Sequence, residues 1–194
     1  MTTRRLSQAI SEGDGISVVV VVDGPEGARA AAEAGADAVL VSAEAAARTA
    51  AIRAATELPL VVTIGDGGEV PDGADACVVS IREGDHHRAD EVRMLASDTC
   101  ELAIRIERED DLEFVLEELD PEVVVLGGAP GGDAKSVVDV LDLLPDVPAG
   151  KLAIADVAAS TRSEVEELER AGVDAVLVAA GNVDALVQDG PPDV

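Results

Sequence analysis

Arg82, Arg105, Glu107 and Asp156 each stand at or just beyond the end of a short apolar run of the chain. Guanidinium groups grip carboxylates and phosphates bidentately, and a neighbouring acid can move protons. This pattern makes Arg105, Glu107 and Asp156 the catalytic candidates. Arg82, Thr63, Ser160, Gly181 and Asn182 are the ligand-binding candidates. The competing reading is that Arg105 and Asp156 point inward and pair with one another, because an unpaired charge inside a packed fold is costly. Other residue groups resolve to structural roles. Asp85-His86-His87-x-x-Asp90 has metal-binding residue types, but it is one local cluster entering a helix and reads as a capping loop. The stretch G-G-A-P-G-G-D-A-K-S at 127–136 lacks the G-K-[ST] ending of a phosphate loop and reads as a connector. Cys77 and Cys100 show no metal or redox spacing and read as buried thiols. No metal and no cofactor is expected.

The elements that must position these residues are legible. Residues 34–43 (A-G-A-D-A-V-L-V-S-A) and 171–180 (A-G-V-D-A-V-L-V-A-A) agree at eight of ten positions, and G-A-D-A-C-V-V-S at 73–80 is a fainter copy. Each full copy reads as a helix ending at a glycine (Gly35, Gly172), then a polar step, then a strand too short and too β-branched for a helix. Strands are expected at 17–22, 37–42, 60–64, 74–81, 101–106, 123–126, 152–155 and 174–178. Helices are expected at 26–33, 44–56, 88–96, 109–119, 134–144, 162–171 and 183–187. Between the third and fourth strands lies only G-D-G-G-E-V-P-D-G, with four glycines and a proline in nine residues, so no crossover helix fits there. Eight near-equal units predict a small, single-domain (β/α)8 barrel over 1–194, one helix short. A doubly wound open sheet is the alternative, but G-x-G-x-x-G is missing after the first strand.

Composition narrows the partners. Forty acidic against fourteen basic residues give a net charge of −26, with acids spread along the whole chain. Such a surface repels nucleic acid and anionic membranes. It suits a concentrated-salt cytoplasm, where the Debye length falls to about 3 Å at 1 M. Aromatic residues make up 1%, with no Trp or Tyr, so base-stacking platforms are excluded. No apolar run approaches the roughly 20 residues needed to cross a bilayer, and the basic start lacks the apolar segment of a signal peptide. A cytoplasmic location is expected.

The end of the chain, K-L-A-I-A-D-V-A-A-S-T-R-S-E-V-E-E-L-E-R-A-G-V-D-A-V-L-V-A-A, resembles the last two units of indole-3-glycerol phosphate synthase. That enzyme is one of the phosphate-binding barrels of tryptophan and histidine biosynthesis. R-I-E-R-E-D-D-L-E-F-V-L at the fifth strand and P-L-V-V-T-I at the third look like the same enzyme's units. The family's functional residues are largely replaced. Its first-strand Glu-x-Lys falls on Val19-Val20-Val21, and its third-strand Lys-Asp-Phe on Thr63-Ile64-Gly65. The fifth-strand glutamate is matched by Arg105, with Glu107 two positions on. The sixth-strand Asn-x-Arg falls on Gly127-Gly128-Ala129, the seventh-strand Ala-Glu-Ser-Gly on Ala155-Asp156-Val157-Ala158, and the eighth-strand Gly-Ser on Ala179-Ala180. Lys135 is expected in a helix and Lys151 at the far end of strand seven, so the mouth has no lysine.

The resemblance therefore implies a degenerate barrel that does not run the parent reaction and binds a small anionic or phosphorylated ligand, a metabolite or a protein. The alternative is an active carbon–carbon lyase on a phosphorylated sugar derivative, using Arg82, Arg105, Glu107 and Asp156. The missing helix is also expected to leave an apolar stripe on strands three and four through which two chains could pair.

Overall fold

A computed structural model describes residues 4–13, 15–95, 100–128, 135–157 and 161–180. Eight parallel strands close into a barrel in sequence order: β1 (Ser17–Val22), β2 (Ala38–Val41), β3 (Leu60–Ile64), β4 (Ala76–Ser80), β5 (Glu101–Ile106), β6 (Val123–Gly127), β7 (Leu152–Asp156) and β8 (Ala175–Ala179). The helices are α1 (Arg5–Ser11), α2 (Pro25–Glu33), α3 (Thr49–Arg53), α4 (His86–Leu95), α5 (Glu109–Glu118), α6 (Val137–Leu143) and α7 (Arg162–Ala171). The expected second helix is a 3-10 stretch, Ala43–Arg48, running into α3, and α6 begins later than expected. The expected helix at 183–187 lies outside the described residues. Among the described residues no helix is long and apolar enough to cross a membrane.

The strands are apolar on both faces because both faces are covered. Val20, Val39, Val62, Val79, Ile104, Leu126, Ala155 and Val176 pack outward beneath the helices. The inward residues follow the register into layers of four from alternate strands, as barrel interiors do. Ala38, Ala76, Val123 and Ala175 form a low layer of small side chains, followed by Val19, Val61, Ala103 and Ile154, then Leu40, Val78, Val125 and Leu177. The next layer towards the C-terminal end is Val21, Thr63, Arg105 and Asp156. Among the described residues polarity enters the interior at this end and at the floor.

The floor was not legible in the sequence. Helix α1 sits under the barrel, with Leu6 and Ile10 packed into the interior cluster. Glu101, inward-facing at the start of β5, accepts from Leu6 N (2.7 Å), Ser7 N (3.1 Å) and the Ser7 hydroxyl. These are the amides that a helix N-cap side chain ordinarily satisfies, so β5 caps α1 from across the fold.

The repeated stretch has a structural explanation. In each copy a glycine adopts positive φ (Gly35 84°, Gly73 89°, Gly172 99°), a region open to glycine at little cost. The aspartate two residues later then brackets one residue of the preceding strand. Asp37 donates its N–H to Val18 O (3.0 Å) and accepts from Val18 N (2.8 Å). Asp75 does the same with Leu60 (2.8 and 2.8 Å), and Asp174 with Ala153 (3.0 and 2.7 Å). Strand-start amides that would otherwise lack a partner are thereby satisfied. Asp75 also takes Arg5 (3.0 Å) and Arg53 (2.8 Å), joining floor and wall.

No helix lies between β3 and β4, as the glycine-rich sequence predicts. The apolar stripe expected from that gap is not exposed, which corrects the sequence reading. Leu60, Val62, Ile64, Cys77 and Val79 are all buried, with Val70 and Ala74 of the connecting loop packed on the same cluster. Arg88 of α4 reaches across to donate to Gly65 O (3.1 Å) and pairs with Glu91 (3.1 Å).

Candidate functional site

Barrels place their chemistry at the C-terminal ends of the strands. There the layer of Val21, Thr63, Arg105 and Asp156 forms the top of the interior. Arg105 is 4% exposed, and its Nη1 donates to Gly128 O (2.9 Å) and to the Asp156 carboxylate. The inward-pointing pair anticipated from the strand ends is thus present. It does not exhaust the guanidinium. Arg105 Nε is enclosed and has no hydrogen-bond partner, and Nη2 has none among the described residues. Nε and Nη2 form one edge of the guanidinium, the geometry that takes two oxygens of an oxyanion at once. Leaving a buried donor unsatisfied costs about 1–3 kcal/mol, which an acceptor along this edge relieves.

Close strand packing holds the pair in place. Gly127, the register partner of Asp156, lets β6 and β7 approach closely, since a Cβ there would lie 2.6 Å from Asp156 Cβ and 2.8 Å from its carbonyl oxygen. Ser80, the register partner of Arg105, shares its inward face. Neither the Ser80 nor the Thr63 hydroxyl has a hydrogen-bond partner among the described residues, so both are available to a ligand.

The other candidates lie elsewhere. Arg82 is 70% exposed and sits 3.9 Å from Glu107, a loose ion pair beside the separate Arg105–Asp156 pair of the strand ends. Ser160, Gly181 and Asn182 lie outside the described residues. Asp85 caps the Arg88 N–H (3.0 Å) at the start of α4, as the capping reading of that loop expects. Cys77 and Cys100 are free and buried on the outer face of β4 and before β5. Each thiol affects the other: Cys77 is held below its usual range chiefly by the Cys100 thiol, and Cys100 is pushed up chiefly by Cys77.

One residue was misplaced by sequence reasoning. Lys135 precedes α6 and bridges β7 through a parallel pairing with Val157, next to Asp156. A lysine therefore stands at this end of the barrel, while Lys151 is at the opposite end, on Asp120 (2.6 Å). No local pattern could reveal a main-chain contact between residues so far apart in sequence.

A cavity of about 580 Å³ opens at the same end beside Val21, lined also by Asp23, Glu26, Arg29, Arg48 and Ala180. Its two arginines are matched by two acids, and Arg48 is already bound to Asp23 O (2.8 Å). Arg88 Nε is likewise enclosed without a hydrogen-bond partner, but Arg88 Nη1 and Nη2 are taken by Glu91 and Gly65 O, so among the described residues Arg105 is the buried arginine whose Nε–Nη2 edge is free at both nitrogens.

No protein-family model matches the chain, and no curated protein matches it in sequence. Solved structures do match in fold. The (S)-3-O-geranylgeranylglyceryl phosphate synthase of Thermoplasma acidophilum, solved with sn-glycerol-1-phosphate, aligns with a TM-score of 0.67 at 15% identity over 96% of this chain and 97% of that one. A phosphonopyruvate hydrolase aligns at 0.65 and 15% identity over 95% of this chain and 83% of that one. Likeness at that identity establishes the (β/α)8 fold.

Proposed function

We propose that this barrel binds a small organic anion at its C-terminal mouth, with the Nε–Nη2 edge of Arg105 as the recognition element. The observation that carries the reading is a buried guanidinium with an enclosed N–H that no protein group accepts. Barrel function resides in the site rather than the fold. The resemblance to indole-3-glycerol phosphate synthase and the sn-glycerol-1-phosphate bound in one structural neighbour are compatible with an anionic, phosphorylated ligand. On this reading the parent ring closure is lost, because the positions matching its lysines carry Val21 and Thr63 and those matching its first- and fifth-strand glutamates carry Val19 and Arg105. The wide spread of acids fits a protein working in concentrated salt.

A second reading, an active lyase on a rebuilt site, draws on Lys135. Its position beside Asp156 would return a proton donor to the mouth, with Arg105 holding substrate and Glu107 or Asp156 moving protons. An indole-formation assay in molar potassium chloride separates the two. The background is low because the chain has no Trp or Tyr. No turnover, together with anion-dependent thermal stabilisation that Arg105→Gln removes, is the expected result. Turnover abolished by Asp156→Asn would establish the lyase.

A further inference from the structure

We infer that the group held by Arg105 is a carboxylate with a hydroxyl or carbonyl oxygen on the adjacent carbon, as in a small 2-hydroxy or 2-oxo acid, rather than a phosphate. The inference rests on the reading of Arg105 as an anion-binding edge and specifies its ligand. Charge is the first argument. The same guanidinium already faces the Asp156 carboxylate, so the interior layer is neutral before any ligand arrives. A carboxylate adds one negative charge to it and a phosphate dianion adds two, within a chain of net charge −26. Like charges a few ångströms apart disfavour the dianion.

Helix termini are the second argument. A phosphate seeks free amides at a helix N-terminus, yet on the helices after β6 and β7 a capping box already takes two of those amides and sets an acid beside the others. Glu164 accepts from Thr161 N (3.0 Å) while the Thr161 hydroxyl accepts from Glu164 N, a completed capping box on α7. Asp139 does the same with Ser136 on α6 (2.9 Å). Lys135, a further cation at this end, is near enough to Asp139 to help hold that carboxyl below its usual range, behind the larger effect of the Ser136 hydrogen bonds. At α6 and α7 a phosphate would thus meet a carboxylate beside the remaining amides.

The neighbouring hydroxyls are the third argument. Ser80 stands beside Arg105 across the β4–β5 pair, and Thr63 shares its layer. Neighbouring strands lie about 4.7–4.9 Å apart, so the unpartnered Ser80 hydroxyl is the nearest side-chain donor on β4 for an oxygen carried next to a carboxylate on Arg105.

The test uses the whole chain in molar potassium chloride with glycolate, acetate and inorganic phosphate as probes, read by proton saturation-transfer NMR for the acids and phosphorus line width for phosphate. Glycolate is expected to bind about tenfold more tightly than phosphate. Its advantage over acetate, of the order of 2- to 12-fold for one hydrogen bond, should vanish in Ser80→Ala. Arg105→Lys, which keeps the charge without the two-donor edge, should weaken glycolate about tenfold. Phosphate binding as tightly as glycolate, and weakened by Arg105→Lys, would overturn the carboxylate assignment while sparing the anion site. Affinities for all three probes unchanged by Arg105→Lys would overturn both.

Discussion

Replacing Gly127 by alanine places a methyl group where the strands β6 and β7 leave no room for one. The new Cβ would lie 2.6 Å from Asp156 Cβ, 2.8 Å from Asp156 O and 3.3 Å from Asp156 Cα. Two of the three atoms met are main chain, so no rotamer change relieves the contact and the two strands must separate. Overpacking of this kind costs about 1–3 kcal/mol, and a backbone obstacle puts Gly127→Ala near the upper end. For a chain of this size each kcal/mol moves the melting temperature by about 2–4 °C, so a fall of about 5–10 °C is expected. Asp156 moves with the strand, so Arg105 also loses its carboxylate partner and the anion affinity should drop with the melting point. Gly65→Ala is the control: it has open space around the added methyl and no positive φ, and should melt within about 2 °C of the parent or slightly higher. Thermal denaturation in molar potassium chloride reads both variants. A Gly127→Ala protein melting within 1 °C of the Gly65→Ala control would refute the claim that Gly127 holds the site together.

The three aspartates of the repeated stretch should separate by their partners. Asp75→Asn loses two arginine contacts and should cost about 2–3 kcal/mol by denaturant unfolding. Asp37→Asn keeps an acceptor for Val18 N, and burial pushes the Asp37 carboxyl above its usual 3.8 despite that hydrogen bond. A raised carboxyl favours the fold in its protonated form and gives up that contribution as pH rises through its folded value. Asp37→Asn should therefore be neutral or stabilising at pH 7, with any gain shrinking as pH falls through the raised folded value and gone below about pH 3.8; a loss above 2 kcal/mol at pH 7 would contradict this. Glu101→Gln weakens the cap on α1 and should cost about 1–2 kcal/mol, with earlier proteolysis before β1 as its signature. With 26 excess negative charges, the melting temperature should climb steeply between 0.1 and about 2 M potassium chloride as repulsion is screened.

The barrel itself was legible because its signals are local: apolar β-branched runs of strand length, glycines where φ must be positive, and a glycine-rich stretch that cannot be helical. The expected inward pairing of Arg105 with Asp156 followed from a single physical point, that an inward charge needs a partner. What escaped the sequence depends on contacts between distant residues. Helix α1 carries only Leu6 and Ile10 as its apolar face, and its cap comes from Glu101, more than ninety positions away. The aspartate of each repeat copy looked like part of a turn, yet its role is to bracket the preceding strand. Arg82 and Glu107 form a loose pair of their own, with Arg82 largely exposed. Lys135 was assigned to a helix and instead bridges β7. The covered outer face of β3 and β4 shows why a missing helix need not mean an exposed wall: Val70, Ala74 and Arg88 fill the sector.

The most direct test of the account is the Nε–H resonance of Arg105 in protein labelled with nitrogen-15 arginine, assigned by its loss in Arg105→Lys. The chain has only twelve arginines, so the spectrum is sparse. An enclosed N–H without an acceptor should resonate apart from the solvent-bonded ones and move saturably downfield as glycolate is added, as the bond along the free edge forms. An Arg105 Nε–H that stays fixed through the titration, while the protein remains folded, would contradict the claim that this edge is the binding site.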